Sequence, residues 1–287
     1  MIQIFTDTSA NLPASYIQKY ALRVIPLTYL IGGVEAHQDP TVDFDGKAYY
    51  DAMRSGTSVT TAMINIAGFL EPLREALAAG DDAIYIGMSG GISGTAHAAS
   101  LAVEELKEEF PERKVASIDT YAASLGEGLL VVEAARMLEN GASFDEIVEK
   151  ISQRRHVMCQ YFTVDDLAYL ERGGRVSKAA AIVGTVLKIK PLLRGDEEGK
   201  IVQLAKVRGR KAGMEELVKL YDQLVEDRSA PVGISHASSP ADALHIATRL
   251  RQVGCTGEIL TVCHEPVTGA HVGPGMLSVY FYSETWR

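Results

Sequence analysis

Ala83-Ile84-Tyr85-Ile86-Gly87-Met88-Ser89-Gly90-Gly91-Ile92-Ser93-Gly94-Thr95 is the stretch that decides how this chain folds. It opens as an apolar run of strand length, Ala83 to Met88. A glycine-rich turn interrupts it, and an amphipathic stretch continues to Phe110. Ala98, Leu101, Ala102, Leu106 and Phe110 recur at the helical period, with Glu105, Glu108 and Glu109 on the other side. A second apolar strand follows, Val115 to Asp119. Strand, helix and strand in that order predict a parallel pair joined by a crossover helix. Such a sheet is covered on both faces.

Towards the N-terminus the same grammar repeats. Ile2 to Phe5 reads as a buried strand ending in the polar cluster Thr6-Asp7-Thr8-Ser9. Asn11 is the expected cap of a helix with Pro13 in its first turn. Arg23 to Ile31 reads as one further strand, ending at Gly32-Gly33, and a polar stretch runs to about Asp43. Asp45 to Met53 reads as a short helix carrying Tyr49 and Tyr50. Thr57-Ser58-Val59-Thr60-Thr61 reads as an extended polar linker. Asn65 caps a helix bearing Phe69, Leu70, Leu73 and Leu77, where Pro72 predicts a kink or a later start. Helices follow over Leu125 to Glu139 and Phe144 to Arg155.

Beyond about residue 155 the alternation of strand and helix loosens. Val157 to Val164 reads as a strand, Asp165 to Glu171 as a helix and Met214 to Val225 as a long helix. Ile201 to Val207 alternates as a half-exposed strand should. Val232 to Ser235, Ile259 to Cys263 and Met276 to Ser283 complete the strands, the last alternating cleanly. Ser239-Pro240-Ala241-Asp242 carries a capping-box-like pattern. The expected fold is α/β in two domains. Residues 1–155 form a parallel-sheet, Rossmann-like domain, and residues 156–287 form an α+β domain with a mixed sheet.

Composition narrows the function. The chain has 287 residues, 47% of them hydrophobic, and a net charge of −9. That excludes a mostly disordered protein. The acidic balance argues against nucleic acid or an anionic membrane as partner, since both call for a basic surface. With 7% aromatics a base-stacking platform is also unexpected. Cys159, Cys255 and Cys263 form no Cys-x-x-Cys pair and read as inert buried thiols, with no structural metal site. Met1 to Asp7 lacks the pattern of a signal peptide. The longest strongly apolar stretch, Ala179 to Leu187, is far too short to span a bilayer. The expected location is the cytoplasm.

The turn at 87–95 is the richest candidate site. A helix start presents free N–H groups and positive dipole, glycines admit a ligand to the backbone, and Ser93 and Thr95 add hydroxyls. That set suits a carboxylate or phosphate. No lysine follows the glycines, so it is not a P-loop. Gly87-Met88-Ser89-Gly90-Gly91 also matches Gly-x-Ser-x-Gly, the pattern of a serine hydrolase, with His236, His264 or His271 as downstream partners. Against that, the extra glycines delay the helix. A small-anion binding module and a hydrolase using Ser89 therefore both stand as alternatives. A sheet that brings Thr57 to Thr61 beside Ser93 clamps one anion between two hydroxyl sets.

Five segments resemble one family. Thr6-Asp7-Thr8-Ser9-Ala10-Asn11-Leu12-Pro13 resembles the opening Thr-Asp-Ser motif of DegV proteins, and Ser89-Gly90-Gly91-Ile92-Ser93-Gly94-Thr95 their Ser-Ser-Gly-Leu-Ser-Gly-Thr. Asp119-Thr120-Tyr121-Ala122-Ala123-Ser124-Leu125-Gly126 is similar to their Asp-Ser-x-x-x-Ser-x-Gly. Leu167 to Ser177, containing Glu171-Arg172-Gly173-Gly174-Arg175-Val176-Ser177, resembles their Gly-Gly-Arg-Ile-Ser signature. His271-Val272-Gly273-Pro274-Gly275 matches their His-x-Gly-Pro-Gly. The resemblance implies a carrier, without catalytic machinery or cofactor of its own, that holds a long-chain fatty acid in the cleft between two domains. It would present the carboxylate to a separate bacterial fatty acid kinase subunit supplying ATP. On the matching positions Thr61, Ser93 and the Gly94 N–H would hold the carboxylate. Arg172 and His271 would lie near the head group or the docking face, and Arg175 would be a second basic point. The family usually reads Thr-Ser-Gln-Pro where this chain has Thr60-Thr61-Ala62-Met63. The hydroxyl survives at Thr61, and Met63 brings a flexible apolar side chain suited to reaching a tail or filling core.

Overall fold

The computed structural model describes residues 1–177 and 189–285. The apolar stretch Ala179 to Leu187 lies outside the described residues. Among those described, no helix is long and apolar enough to cross a membrane.

A four-stranded, wholly parallel sheet has the order β2-β1-β6-β7. Its strands are β1 (Ile2–Asp7), β2 (Arg23–Ile25), β6 (Asp82–Gly87) and β7 (Val115–Asp119). Their period-two alternation sorts the side chains between two cores. Phe5, Ala83, Tyr85 and Val115 pack on α3 (Ile66–Ala78) and α4 (Thr95–Glu109), against Phe69, Leu73, Ala102 and Leu106. Ile4, Ile84, Ile86 and Ile118 point the other way, onto α5 (Leu125–Glu139) and α6 (Phe144–Arg154). The deciding stretch thus folds as expected. One residue departs: Leu101 is 44% exposed, and Ala99 and Val103 complete the stripe instead.

A six-stranded mixed sheet has the order β10-β9-β8-β13-β11-β12. It comprises β8 (Met158–Thr163), β9 (Ile189–Gly195), β10 (Ile201–Arg208), β11 (Val232–His236), β12 (Ile259–Cys263) and β13 (Leu277–Tyr282). Only β11 and β12 run parallel; the other pairings are antiparallel. α8 (Arg210–Leu224) and α9 (Pro240–Gln252) cover one face through Leu217, Tyr221 and Ile246. β13 does not alternate in burial. It is central, and all six of its residues are buried.

α5 lies between the two sheets. Its core joins Ile84 and Ile118 of the first to Met158, Tyr280 and Tyr282 of the second. This accounts for its weakly amphipathic sequence, buried nearly all round. Close contact is possible because Gly128 carries no Cβ, which would fall 2.5 Å from the Ala10 carbonyl oxygen. Glu127 is buried with it, its carboxyl receiving the Thr6 hydroxyl at 3.1 Å and lying 2.7 Å from the Ser9 hydroxyl.

Several expectations need correction. Arg23 to Ile31 is two strands in two sheets. Pro26, which cannot donate to a ladder, marks the break. The second, β3 (Thr28–Ile31), centres an antiparallel ribbon with β4 (Val34–His37) and β5 (Val59–Ala62). The supposed linker at 57–61 therefore ends in a strand. Asn11 does not cap a helix. It sits at φ 53° closing the 3-10 turn Thr8–Ala10, while α1 (Ala14–Lys19) starts without a side-chain cap. Ser239 likewise makes no cap bond to α9. Asn65 does cap α3 through the Gly68 N–H, and Pro72 is accommodated inside that helix. The short helices α2 (Lys47–Arg54) and α7 (Ala168–Arg172) fall where expected. β4, β9 and the helix α10 (Pro266–Val272) were not foreseen.

Candidate functional site

A cavity of about 270 Å³ is lined by strands of the six-stranded sheet and of the small ribbon, and by the segments that follow β6 and β7. Its apolar wall includes Leu27, Met88, Phe162, Val267, Val272 and Met276. Its polar lining falls into two hydrogen-bonded groups, along α10 (Pro266–Val272).

The first group gathers Thr61, Ser93, Gly94, Arg175 and His271. β5 carries Thr61, paired across the ribbon with Tyr29. Gly94 is the residue at the start of α4 and brings no capping side chain of its own. The positive end of that helix therefore lies at the cavity beside Ser93. The Ser93 hydroxyl lies 2.9 Å from the Thr95 hydroxyl and accepts the Thr95 N–H at 3.2 Å. Thr61 Oγ1 lies 2.9 Å from His271 Nε2. Burial, reinforced by the Arg175 charge, pushes the imidazole down to about 4. At neutral pH it is a neutral hydrogen-bonding group.

The glycine pair before Arg175 has two reasons, a left-handed backbone at Gly174 (φ 73°) and a steric one at Gly173. A Cβ on Gly173 would fall 2.2 Å from His271 Nδ1, so only glycine lets the imidazole in. Arg175 then folds back, donating from Nε to the Ile92 carbonyl at 3.0 Å and also to the Gly173 carbonyl. It ties the signature segment to the turn that carries Ser93. Arg172 is placed differently. It is exposed, donates to the Ala168 carbonyl of its own helix and stacks on Tyr169 at 4.5 Å, and it is not among the residues lining the cavity.

Met63 is 50% exposed and lines the cavity, so it is not core filler. Its sulfur lies over Gly94, 2.6 Å from where a Cβ on that residue would stand. Ser89 is buried with its hydroxyl donating to the Gly199 carbonyl at 2.9 Å and accepting the Gly91 N–H at 3.0 Å. The helix begins only at Thr95. The histidines considered as its partners bond elsewhere: His271 to Thr61, His236 to the Ser239 N–H, and His264 to the second polar group.

That second group was missed. His264 is fully buried, with Nε2 2.8 Å from Thr268 Oγ1 and Nδ1 2.9 Å from Ser235 Oγ. Burial pushes its pKa down to about 3. Thr268 also bonds Glu265, whose carboxylate caps α10 by accepting the Val267 and Thr268 N–H groups. Desolvation raises Glu265 to about 7. The signal in the sequence was the spacing of four between His264 and Thr268. Pro266, Gly269 and Gly273 obscured the helix that gives the spacing its meaning.

Fold and cavity together define a two-sheet α/β protein with an internal, mostly apolar ligand chamber polar at two places. The chain belongs to the DegV family, whose model, described as "Uncharacterised protein, DegV family", matches residues 1–284. It is 35% identical over 283 residues to a DegV domain-containing protein of Clostridium perfringens, covering 98% of this chain and 97% of that one. Among solved structures it is similar to a DegV family protein from Thermus thermophilus described for its fatty acid binding. There the TM-score is 0.87 and the identity 30%, over 98% of this chain and 99% of the other. DegV from Bacillus subtilis, described as a fatty acid binding protein, gives a TM-score of 0.85 at 28% identity over 99% of each chain. Members of this family thus bind fatty acids.

Proposed function

We propose that this chain is a fatty-acid carrier, which buries a long acyl chain and presents its carboxylate to a separate kinase subunit that supplies ATP. The carrying observation is the pairing of an apolar chamber with Thr61, Ser93, Gly94 and His271 at the start of α4. A buried methylene contributes about 0.8 kcal/mol, so a tail of about fifteen yields roughly 12 kcal/mol gross. A membrane offers the same burial, and head-group contacts must tip the balance.

Hydroxyl and N–H donors suit this task. They hold one carboxylate oxygen and leave the other free, where a bidentate arginine would occupy both. A carboxylate is ionised at neutral pH and needs no general base to attack a phosphoryl group. The carrier then requires no catalytic residue of its own, and the chemistry belongs to the kinase. In this reading Arg175 steadies the wall of the head-group site, while exposed Arg172 meets the kinase or the phosphoryl group. The units are residues 1–155 and 156–287, with the ligand between them, and the protein works in the bacterial cytoplasm.

Denaturing extraction of the purified protein followed by mass spectrometry tests the carrier role. Stoichiometric long-chain fatty acid is expected. Its absence, together with no uptake of added oleate or palmitate, overturns the proposal. Formation of acyl phosphate only when carrier, kinase and ATP are combined tests the second half.

A further inference from the structure

The second polar group is more than a head-group site needs. Thr268, His264 and Tyr280 all line the chamber, and so does Gln160. Tyr280 on β13 stands directly opposite Gln160 on β8, which puts the two side chains side by side on one face. Behind them the Ser235 hydroxyl lies 2.6 Å from Ser278 Oγ, 3.2 Å from the Tyr280 oxygen and 2.9 Å from His264 Nδ1. A hydrocarbon tail asks for none of this. A buried polar group facing hydrocarbon costs free energy unless its bonds are made.

The proton arrangement shows what is left over. A hydroxyl carries one hydrogen, and Thr268 directs its own to Glu265, so its bond to His264 is donated by Nε2. Nδ1 then accepts from Ser235, and the Tyr280 hydroxyl is free to donate to Ser235. Thr268 retains an acceptor lone pair, while the Tyr280 hydroxyl is engaged with the Ser124, Ser235 and Ser278 hydroxyls. Gln160 receives the Ala123 N–H on Oε1 and gives one Nε2 hydrogen to the Tyr121 carbonyl, which leaves its second amide hydrogen. An acceptor and a donor lining one chamber match a group that both donates and accepts, a hydroxyl.

We infer that the chamber takes a fatty acid with an oxygen substituent, a hydroxyl above all, a few carbons from its carboxylate, recognised by Thr268 and Gln160. This deepens the carrier reading and rests on it. Thr268 and His271 stand three residues apart on α10, about 4.5 Å at the helical rise. An extended chain advances about 1.2 Å per bond, so roughly four bonds separate the two polar groups. That leaves the greater part of a long acyl chain to the apolar wall.

The test compares stearic acid with the same acid hydroxylated at its fifth carbon, by displacement of a fluorescent fatty acid from the delipidated full-length protein. The hydroxy acid is expected to bind about tenfold more tightly, the equivalent of one good hydrogen bond. In Thr268→Val, nearly identical in shape, and in Gln160→Leu, that preference, read as the ratio of the two affinities within each variant, should fall several-fold. Equal or tighter binding of stearate by the unmodified protein overturns the inference and leaves the carrier reading intact. A preference that persists unchanged in both variants also overturns it. Failure of both acids to bind overturns the carrier reading and this inference together.

Discussion

Thr61 Oγ1 and His271 Nε2 meet at 2.9 Å across 210 positions of sequence. The bond joins the ribbon strand β5 to the C-terminal turn of α10 (Pro266–Val272) and fixes one wall of the chamber. With the imidazole neutral, the bond supplies direction rather than charge. Thr61→Val keeps the shape and removes the hydroxyl; Ser93→Ala removes the second one. Each bond to a carboxylate contributes about 1.5–3 kcal/mol, so each variant should release fatty acid at least tenfold more readily. Retained lipid after dialysis against a competing vesicle measures this, alongside a thermal melt of the delipidated protein. Full occupancy in the double variant would remove both residues from the site.

Acid should destabilise the delipidated protein through its histidines. His271 and His264 are pushed down to about 4 and about 3 by burial. Below pH 6.5 the unfolded chain takes up protons that the folded one refuses. Stability present above pH 6.5 is therefore lost as pH falls towards 4, by about 1.4 kcal/mol per unit for each group. Glu265, raised to about 7, acts oppositely: its stabilising term is full below about pH 4.5 and fades as pH rises to 7. Glu127, also pushed up by burial, acts in the same sense as Glu265, so the two carboxyls oppose the two histidines between pH 4.5 and 6.5. His271→Gln removes one histidine's share, so on going from pH 7 to pH 5 its stability, measured by urea unfolding, should shift in its favour relative to wild type by about 2 kcal/mol. An equal change in both proteins contradicts the assignment.

Glu127 and Asp7 share a single serine proton. The Ser9 hydroxyl lies within hydrogen-bond distance of Asp7 Oδ1 and 2.7 Å from Glu127 Oε2, but can donate to only one. Desolvation and the Asp7 charge push Glu127 well above the usual carboxylate range, so it carries the missing proton. Glu127→Gln reproduces that state: its oxygen accepts from Thr6 and its amide donates to Ser9. The wild-type contribution is full below the ordinary glutamate pKa and is lost as pH rises through the raised one. The Gln variant should therefore match wild type near pH 4 and exceed it by more than about 1 kcal/mol at pH 7. Chemical denaturation at the two pH values decides it; a less stable variant at pH 7 would show that Glu127 is ionised.

The parts legible in the sequence were those written in local pattern. The strand-turn-helix at 83–110 fixed the parallel sheet, and its hydroxyls and glycines marked the side of the chamber that Ser93 and Gly94 occupy. What stayed hidden was written across the fold. Arg23 to Ile31 reads as one apolar run, and only the competition of two sheets for it divides it at Pro26. β13 alternates serine and tyrosine with apolar residues, as a surface strand does, yet all six of its residues are buried. In the fold, Ser278 and Tyr280 turn inward to bond Ser235. The same inversion hid the second polar group, since a buried hydroxyl and a solvated one look alike until a partner is placed beside it. Arg172 and Arg175, three residues apart, are equal in sequence and unlike in place: one exposed, one lining the chamber.

Met63 offers a test of how the ligand leaves. It is half-exposed, borders the chamber and rests its thioether on Gly94, directly over the start of α4. Methionine has three rotatable side-chain bonds and no branch, so it can swing aside at little cost and still cover the head group when it returns. Met63→Ala removes the cover without disturbing a buried core, and folding stability should change by less than about 1 kcal/mol, as for other surface sites. Release of a fluorescent fatty acid should quicken several-fold. Met63→Leu, similar in bulk, should restore slow release, because cover rather than sulfur chemistry is what the position supplies. Stopped-flow transfer to acceptor vesicles measures all three proteins. Identical release from wild type and Met63→Ala would place the exit elsewhere on the chamber.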